Sequence, residues 1–124
     1  MTYRKYHTPE QALQKLRHYC AYQERSHYEV REKLYALGMH RNEVERLIAQ
    51  LIEENYLNEE RFACQYAGGH FRLKQWGRNR IRQGLQQKKV SEYNIRIALR
   101  EIEEEEYLAT LRKLAGKKWN SISG

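Results

Sequence analysis

Apolar residues recur every three or four positions along most of this chain, the period of helices that each bury one face. The first such stripe is Ala12, Leu13, Leu16, Tyr19 and Cys20. It is preceded by Thr8-Pro9-Glu10-Gln11, in which Thr8 suits the cap, Pro9 the first helical position, and Gln11 the return bond of a capping box. A second box, Ser26 with Glu29, opens a short helix carrying Val30, Leu34 and Leu37. Gly38 stands where a left-handed helix end favours a residue without Cβ. Asn42 or a neighbour then opens a third helix, with Val44, Leu47, Ile48, Leu51 and Ile52 facing a core and Asn55-Tyr56-Leu57-Asn58 ending it.

The pattern then repeats. A shift of 51 residues brings Val30, Leu34, Met39, Val44, Ile48 and Leu51 onto Ile81, Leu85, Val90, Ile95, Leu99 and Ile102. Under the same shift Ala12 falls on Ala63, Cys20 on Phe71, and Tyr56-Leu57 on Tyr107-Leu108. The helix bearing Phe62, Ala63, Tyr66 and Ala67 therefore opens a second unit. The expected fold is all-α, with a first three-helix repeat over 1–57, a second over 58–106, and the first helix of a third over 107–124. Each unit reads as too small to bury its apolar faces alone, so neighbours are expected to stack into an elongated, curved array. A stripe of Leu108, Leu111, Leu114 and Ala115, followed by Trp119, would then stand partly uncovered unless it folds back or meets another molecule.

Composition adds a charge. Over 124 residues, 23 Lys and Arg face 16 Asp and Glu, a formal net charge of +7, which favours anionic partners. The excess is local. Residues 72–100 hold nine Lys or Arg against Glu92 alone, whereas residues 1–57 hold nine against eight carboxylates. The candidate binding residues are Arg72, Lys74, Trp76, Arg78, Arg80, Arg82, Lys88 and Lys89. Arg78 and Arg82 lie four apart on one helix face, with Arg80 beside them, a row of planar cations suited to phosphates or carboxylates. An ordinary solvated helix face fits the same residues. Trp76 could stack on a base, but at a helix junction it reads better as a packing plug. The acidic run Glu101, Glu103, Glu104, Glu105 and Glu106 reads best as a solvated helix end.

Catalysis finds little support. Glu59 and Glu60 sit where a helix dipole favours negative charge, the His residues lack paired metal-ligand spacing, and no glycine-rich phosphate loop follows a strand. No catalytic residue, metal or cofactor is expected, and an ATPase is excluded. Gly68-Gly69, inside a helix, suggests close packing or a kink. Cys20 and Cys64 stand alone and read as reduced, half-buried thiols. No apolar run is long enough to span a bilayer and the N-terminus lacks a secretory apolar segment, so a cytoplasmic protein is expected.

Arg25-Ser26 with Val30, Lys33-Leu34 and Gly38, then Tyr56-Leu57-Asn58-Glu59-Glu60-Arg61-Phe62-Ala63, then Trp76-Gly77 with Ile81, Leu85 and Lys88-Lys89-Val90, resemble in order and spacing the RecX family of bacterial recombination regulators. The resemblance covers residues 9–119. It implies tandem three-helix repeats in a curved monomer that lies along the RecA–DNA filament. It also implies suppression of ATP hydrolysis, strand exchange and co-protease activity, together with weak, sequence-nonspecific affinity for single- and double-stranded DNA. Many family members carry three full repeats, so this chain is expected to end one helix into the third. The alternative is a helix-turn-helix-like protein acting on duplex DNA directly, since short helices joined by a Gly38-like turn look alike in sequence. Such a protein prefers one duplex and usually dimerises, whereas a modulator binds DNA weakly and acts through RecA.

Overall fold

The computed structural model describes the backbone of residues 7–123 and the side chains through residue 115. Six helices make up this part of the chain: α1 Pro9–Tyr22, α2 His27–Ala36, α3 Arg41–Glu53, α4 Glu59–Lys74, α5 Arg78–Gln87 and α6 Glu92–Ser123. No strand occurs among the described residues. The internal repeat is realised in the backbone: moved by 51 positions, the start of α2 falls on that of α5 and the start of α3 on that of α6.

Both expected capping boxes form. The Thr8 hydroxyl accepts from the Gln11 N–H while Thr8 N–H donates to the Gln11 side chain, and Ser26 with Glu29 makes the same reciprocal pair. Helix α2 ends in a Schellman turn, with Met39 N–H on the Leu34 carbonyl at 3.1 Å, Gly38 N–H on Tyr35 at 3.0 Å, and Gly38 at φ 90°. The second unit repeats this turn at the end of α5, with Val90 bonded to Leu85 and Lys89 to Gln86. Lys89 holds the left-handed position at φ 60° where the first unit has glycine.

Each unit closes its own core. Leu16, Val30, Leu34, Val44, Leu47 and Leu51 are fully enclosed in the first, and Ala63, Ala67, Ile81, Leu85, Ile95 and Ile102 in the second. Leu13, Leu47 and Ile48 belong to the first core as expected, but Ile52 is 45% exposed. It falls at the solvent-facing edge of the apolar stripe. The buried residues form two separate clusters, one in each unit. The seam between them is polar.

The separate opening helix expected over 107–124 is absent. Helix α6 runs unbroken from Glu92 to Ser123. Where α3 turns at Asn55, with φ 66°, the equivalent position is Glu106, in a run of good helix formers with neither Gly nor Pro to stop it. Beyond the second core, Leu108, Leu111 and Leu114 are 51%, 44% and 57% exposed, as their stripe predicted. The Trp119 side chain lies outside the described residues.

Candidate anion-binding surface

Helix α5 is held by Ile81 and Leu85, both fully buried, and by a close approach to α4. A Cβ placed on Gly84 would stand 2.1 Å from the Tyr66 hydroxyl oxygen and 2.9 Å from the ring carbon bearing it. Only glycine admits the Tyr66 ring there. By contrast, Gly68-Gly69 admits no close packing of this kind: Gly69 faces open space, and the nearest atoms to a Cβ on Gly68 belong to the flexible end of Arg72. With Ile81 and Leu85 turned inward, Arg78, Arg80 and Arg82 are directed outward from α5. The helix starts at Gly77, which offers no side-chain cap, and its first turn holds no carboxylate.

The arginines do not stand as a free row. Arg78 donates to Glu103 at 2.9 Å and to Glu106 at 3.1 Å, Arg72 to Glu105 at 3.0 Å, and Arg82 to Glu92. The acidic run of α6, read from sequence as a solvated helix end, is therefore the counter-charge of the basic run. Sequence spacing hid this because the partners lie 25 to 33 positions apart. The hydrogen bond from Arg82 holds the Glu92 carboxyl below its ordinary range, helped by the charge of Arg96.

Charge on α6 is sorted by side. Toward α4, Ala98, Glu101, Ile102 and Glu105 border a cleft of about 400 Å³ shared with Glu24, Arg61, Cys64 and Arg72. Toward α5, Arg96, Leu99, Arg100 and Glu103 border a cleft of about 320 Å³ shared with Arg78, Asn79 and Arg82. One cleft is acidic and the other strongly cationic. Arg96 and Arg100 escaped the sequence reading as site residues. Their i, i+4 spacing, matching that of Arg78 and Arg82, was the available signal.

The remaining candidate residues lie elsewhere on the second unit. Trp76 packs at the edge of the second core, 4.4 Å from the His70 ring and edge-on to Tyr66 at 6.4 Å. It is a packing plug, as its place at a helix junction suggested. Its ring also carries the Arg80 guanidinium at 4.1 Å and the Lys74 ammonium at 5.6 Å, cation–π arrangements that hold both charges near the surface. Lys88 reaches back to Glu29 of the first unit at 3.9 Å, and Lys89 is presented by the left-handed turn. The eight residues thus divide among the cationic cleft (Arg78, Arg82), the acidic cleft (Arg72), the Trp76 edge (Lys74, Arg80) and the end of α5 (Lys88, Lys89).

The polar seam was invisible to sequence periodicity. Arg61, in the first turn of α4, donates to the Asn55 side chain at 3.2 Å, to the Asn55 carbonyl at 3.1 Å, and to Glu24 in the α1–α2 loop. Glu59 accepts from the Ser91 N–H just before α6 and lies 3.7 Å from His27 Nδ1. Burial lowers the His27 pKa, outweighing the opposing pull of Glu59. Both thiols are free, and burial pushes Cys20 up to about 11 and Cys64 up to about 12, well removed from thiolate chemistry. Among the described residues no helix is long and apolar enough to cross a membrane.

Six helices in two like units, the second with a cationic cleft, define an all-α tandem three-helix repeat protein. The sequence matches the family descriptions "RecX, first three-helix domain" over residues 12–51 and "RecX, second three-helix domain" over residues 58–99. The chain belongs to the RecX family. It is similar to the regulatory protein RecX of Clostridium perfringens, 38% identical over 94 residues that make up 76% of this chain and 43% of the relative. It is also similar to that of Vibrio campbellii, 35% identical over 95 residues, or 77% of this chain and 60% of the relative. The chain thus spans about half the length of these curated relatives. The crystal structure of RecX from Lactobacillus salivarius superposes with a TM-score of 0.71 at 23% identity, covering 88% of this chain and 73% of that one. At that identity the likeness speaks for the fold.

Proposed function

We propose that this chain is a negative regulator of the RecA recombinase, a non-catalytic cytoplasmic monomer that binds the RecA–DNA filament. In this role it holds down ATP hydrolysis, strand exchange and co-protease activity in DNA repair and the SOS response. The observation that carries the reading is the concentration of cationic side chains on α5 and α6 of a RecX-family second unit, where four arginines line one cleft. Such a surface complements the phosphates and acidic side chains of a protein–DNA filament. It supplies no sequence-reading element of its own, since guanidiniums on phosphates position a protein without specifying bases.

The test is the rate of DNA-dependent ATP hydrolysis by RecA of the same organism, with this chain titrated from substoichiometric to equimolar amounts. Inhibition is expected. An unchanged rate, with the chain shown to be folded, removes the regulator reading. Preference for one duplex over random DNA, without any effect on RecA, would instead select the helix-turn-helix alternative. Arg78→Gln with Arg82→Gln is the suitable surface variant and should weaken filament binding while helical circular dichroism is kept. Charge reversal at these positions is unsuitable, because a carboxylate there would face Glu103, Glu106 and Glu92 and loosen α5 from α6.

A further inference from the structure

The cationic cleft between α5 and α6 has a specific geometry. Arg78 and Arg82 lie four apart on α5, and Arg96 and Arg100 lie four apart on α6. Each pair is separated by one helical turn, roughly 5–6 Å between Cβ atoms, a step comparable to that between consecutive phosphates on one strand. Leu99 is the only apolar side chain in the lining and Glu103 the only carboxylate. The cleft therefore has nothing to hold an apolar anchor, and its four permanent cations meet one carboxylate in the lining and two more, Glu92 and Glu106, that pair with the same arginines.

The existing partners are poorly matched to so much charge. Arg82 and Arg96 share one carboxylate, Glu92, with Arg96 at 3.6 Å. Arg100 pairs with no carboxylate among the described residues. Arg78 is neutralised by Glu103 and Glu106. The first turn of α5, uncapped at Gly77 and lacking an acidic residue, adds free backbone N–H donors beside Arg78 and Asn79. Guanidinium forks bind phosphate oxygens as bidentate partners, and two arginine pairs offer more donors than the shared carboxylate can accept.

We infer that the α5–α6 cleft is a binding site for two consecutive phosphates of a nucleic-acid backbone, with Arg96 and Arg100 as its unassigned half and Glu103 as an internal counter-ion displaced on occupation. The inference rests on the proposed nucleic-acid-facing role of the second unit and names the site within it. Glu103 swings from Arg78 as the phosphate arrives, exchanging one ion pair for another, so net affinity stays modest and falls steeply with salt.

The experiment uses the full chain without RecA. Binding of a fluorescein-labelled oligothymidylate is followed by anisotropy over a range of salt concentrations. Arg96→Gln with Arg100→Gln should weaken binding about tenfold at low salt and reduce the slope of log K against log salt by about 1.4, as expected for two lost contacts to a single strand. Arg41→Gln with Arg46→Gln, two exposed arginines of α3, removes the same charge from the first unit and should change both quantities much less. Glu103→Gln should tighten binding about two- to fivefold. Equal losses in the cleft variant and its charge-matched control overturn the site, and a Glu103 variant that binds no tighter overturns the counter-ion role. If the cleft variant loses affinity for inorganic pyrophosphate yet keeps that for the oligonucleotide, the cleft serves a free anion and the proposal is overturned. Because no RecA is present, failure here removes the cleft as a phosphate site while the ATPase assay still decides the regulator reading, and failure of the ATPase assay leaves the cleft standing.

Discussion

The two three-helix units share helix starts, core positions and the turn after their second helix, yet they solve the same packing problem with different chemistry. The first unit puts Gly38 at its left-handed turn, and the second puts Lys89 there. In the first unit position 33 is a lysine, whereas its equivalent in the second is Gly84, cut back to admit Tyr66. The first unit spreads its charges evenly, and the second gathers its arginines on α5 and α6 against a matching acidic run. The comparison teaches that the repeat preserves the buried pattern alone. Positions outside that pattern differ between the units, and in the second they make a charged surface.

The sharpest way to break the comparison is Gly84→Ala. The added methyl meets the Tyr66 ring, so equilibrium urea unfolding should show a loss of about 2–3 kcal/mol, in the range of core overpacking. Much of it should return when Tyr66→Leu is added, which removes the clash. A loss below about 0.5 kcal/mol would mean that α4 and α5 part easily.

The turns offer a reciprocal pair. Gly38→Ala should destabilise by about 1–2 kcal/mol, the penalty for a side chain in left-handed backbone, and Lys89→Gly should stabilise by about 1 kcal/mol for the same reason with the sign reversed. Thermal melts of both variants test this together. If Lys89→Gly also weakens oligonucleotide binding, the lysine was kept at a strained position for its charge.

Gly69→Ala should raise stability by about 0.5–1 kcal/mol, because nothing occupies the space and alanine is the better helix former. A loss instead of a gain would reveal a packing partner on that face of α4.

The smallest effect concerns pH at the seam. Burial disfavours the His27 imidazolium, with Arg31 adding to the effect and Glu59 opposing it, so the folded chain holds this proton less tightly than the unfolded one. The neutral ring's contribution to stability is complete above the ordinary histidine value of about 6.5 and is lost as pH falls from there through the lower folded value. The difference in urea midpoint between wild type and His27→Gln should therefore shift in favour of the variant on going from about pH 7.5 to about pH 5.5. A difference that does not change with pH would remove His27 from the seam's electrostatics.

Legibility in the sequence followed locality. Thr8 with Gln11 and Ser26 with Glu29 announced two helix starts because a cap and its partner lie three positions apart. The shift of 51 residues exposed the repeat because buried positions tolerate few residue types. Helical spacing marks Arg78 and Arg82 as neighbours, but the same spacing of Arg96 and Arg100 is masked by the buried stripe of Ile95, Leu99 and Ile102 on their helix. Pairings such as Arg78 with Glu103, and Arg61 with Glu24, join residues far apart in sequence. No periodicity encodes them, since they depend on how helices cross. The continuation of α6 past Glu106 failed to register because the repeat argued for a turn there while local propensity argued for none.

The polar seam has a mechanical consequence. Each bead of this two-bead chain keeps its grease inside, so bending one against the other wets almost no new oily surface and breaks only bonds that water and salt can replace. Arg61 and Glu59 join the beads through charged bonds, the kind that salt weakens, while the grease of each bead stays enclosed.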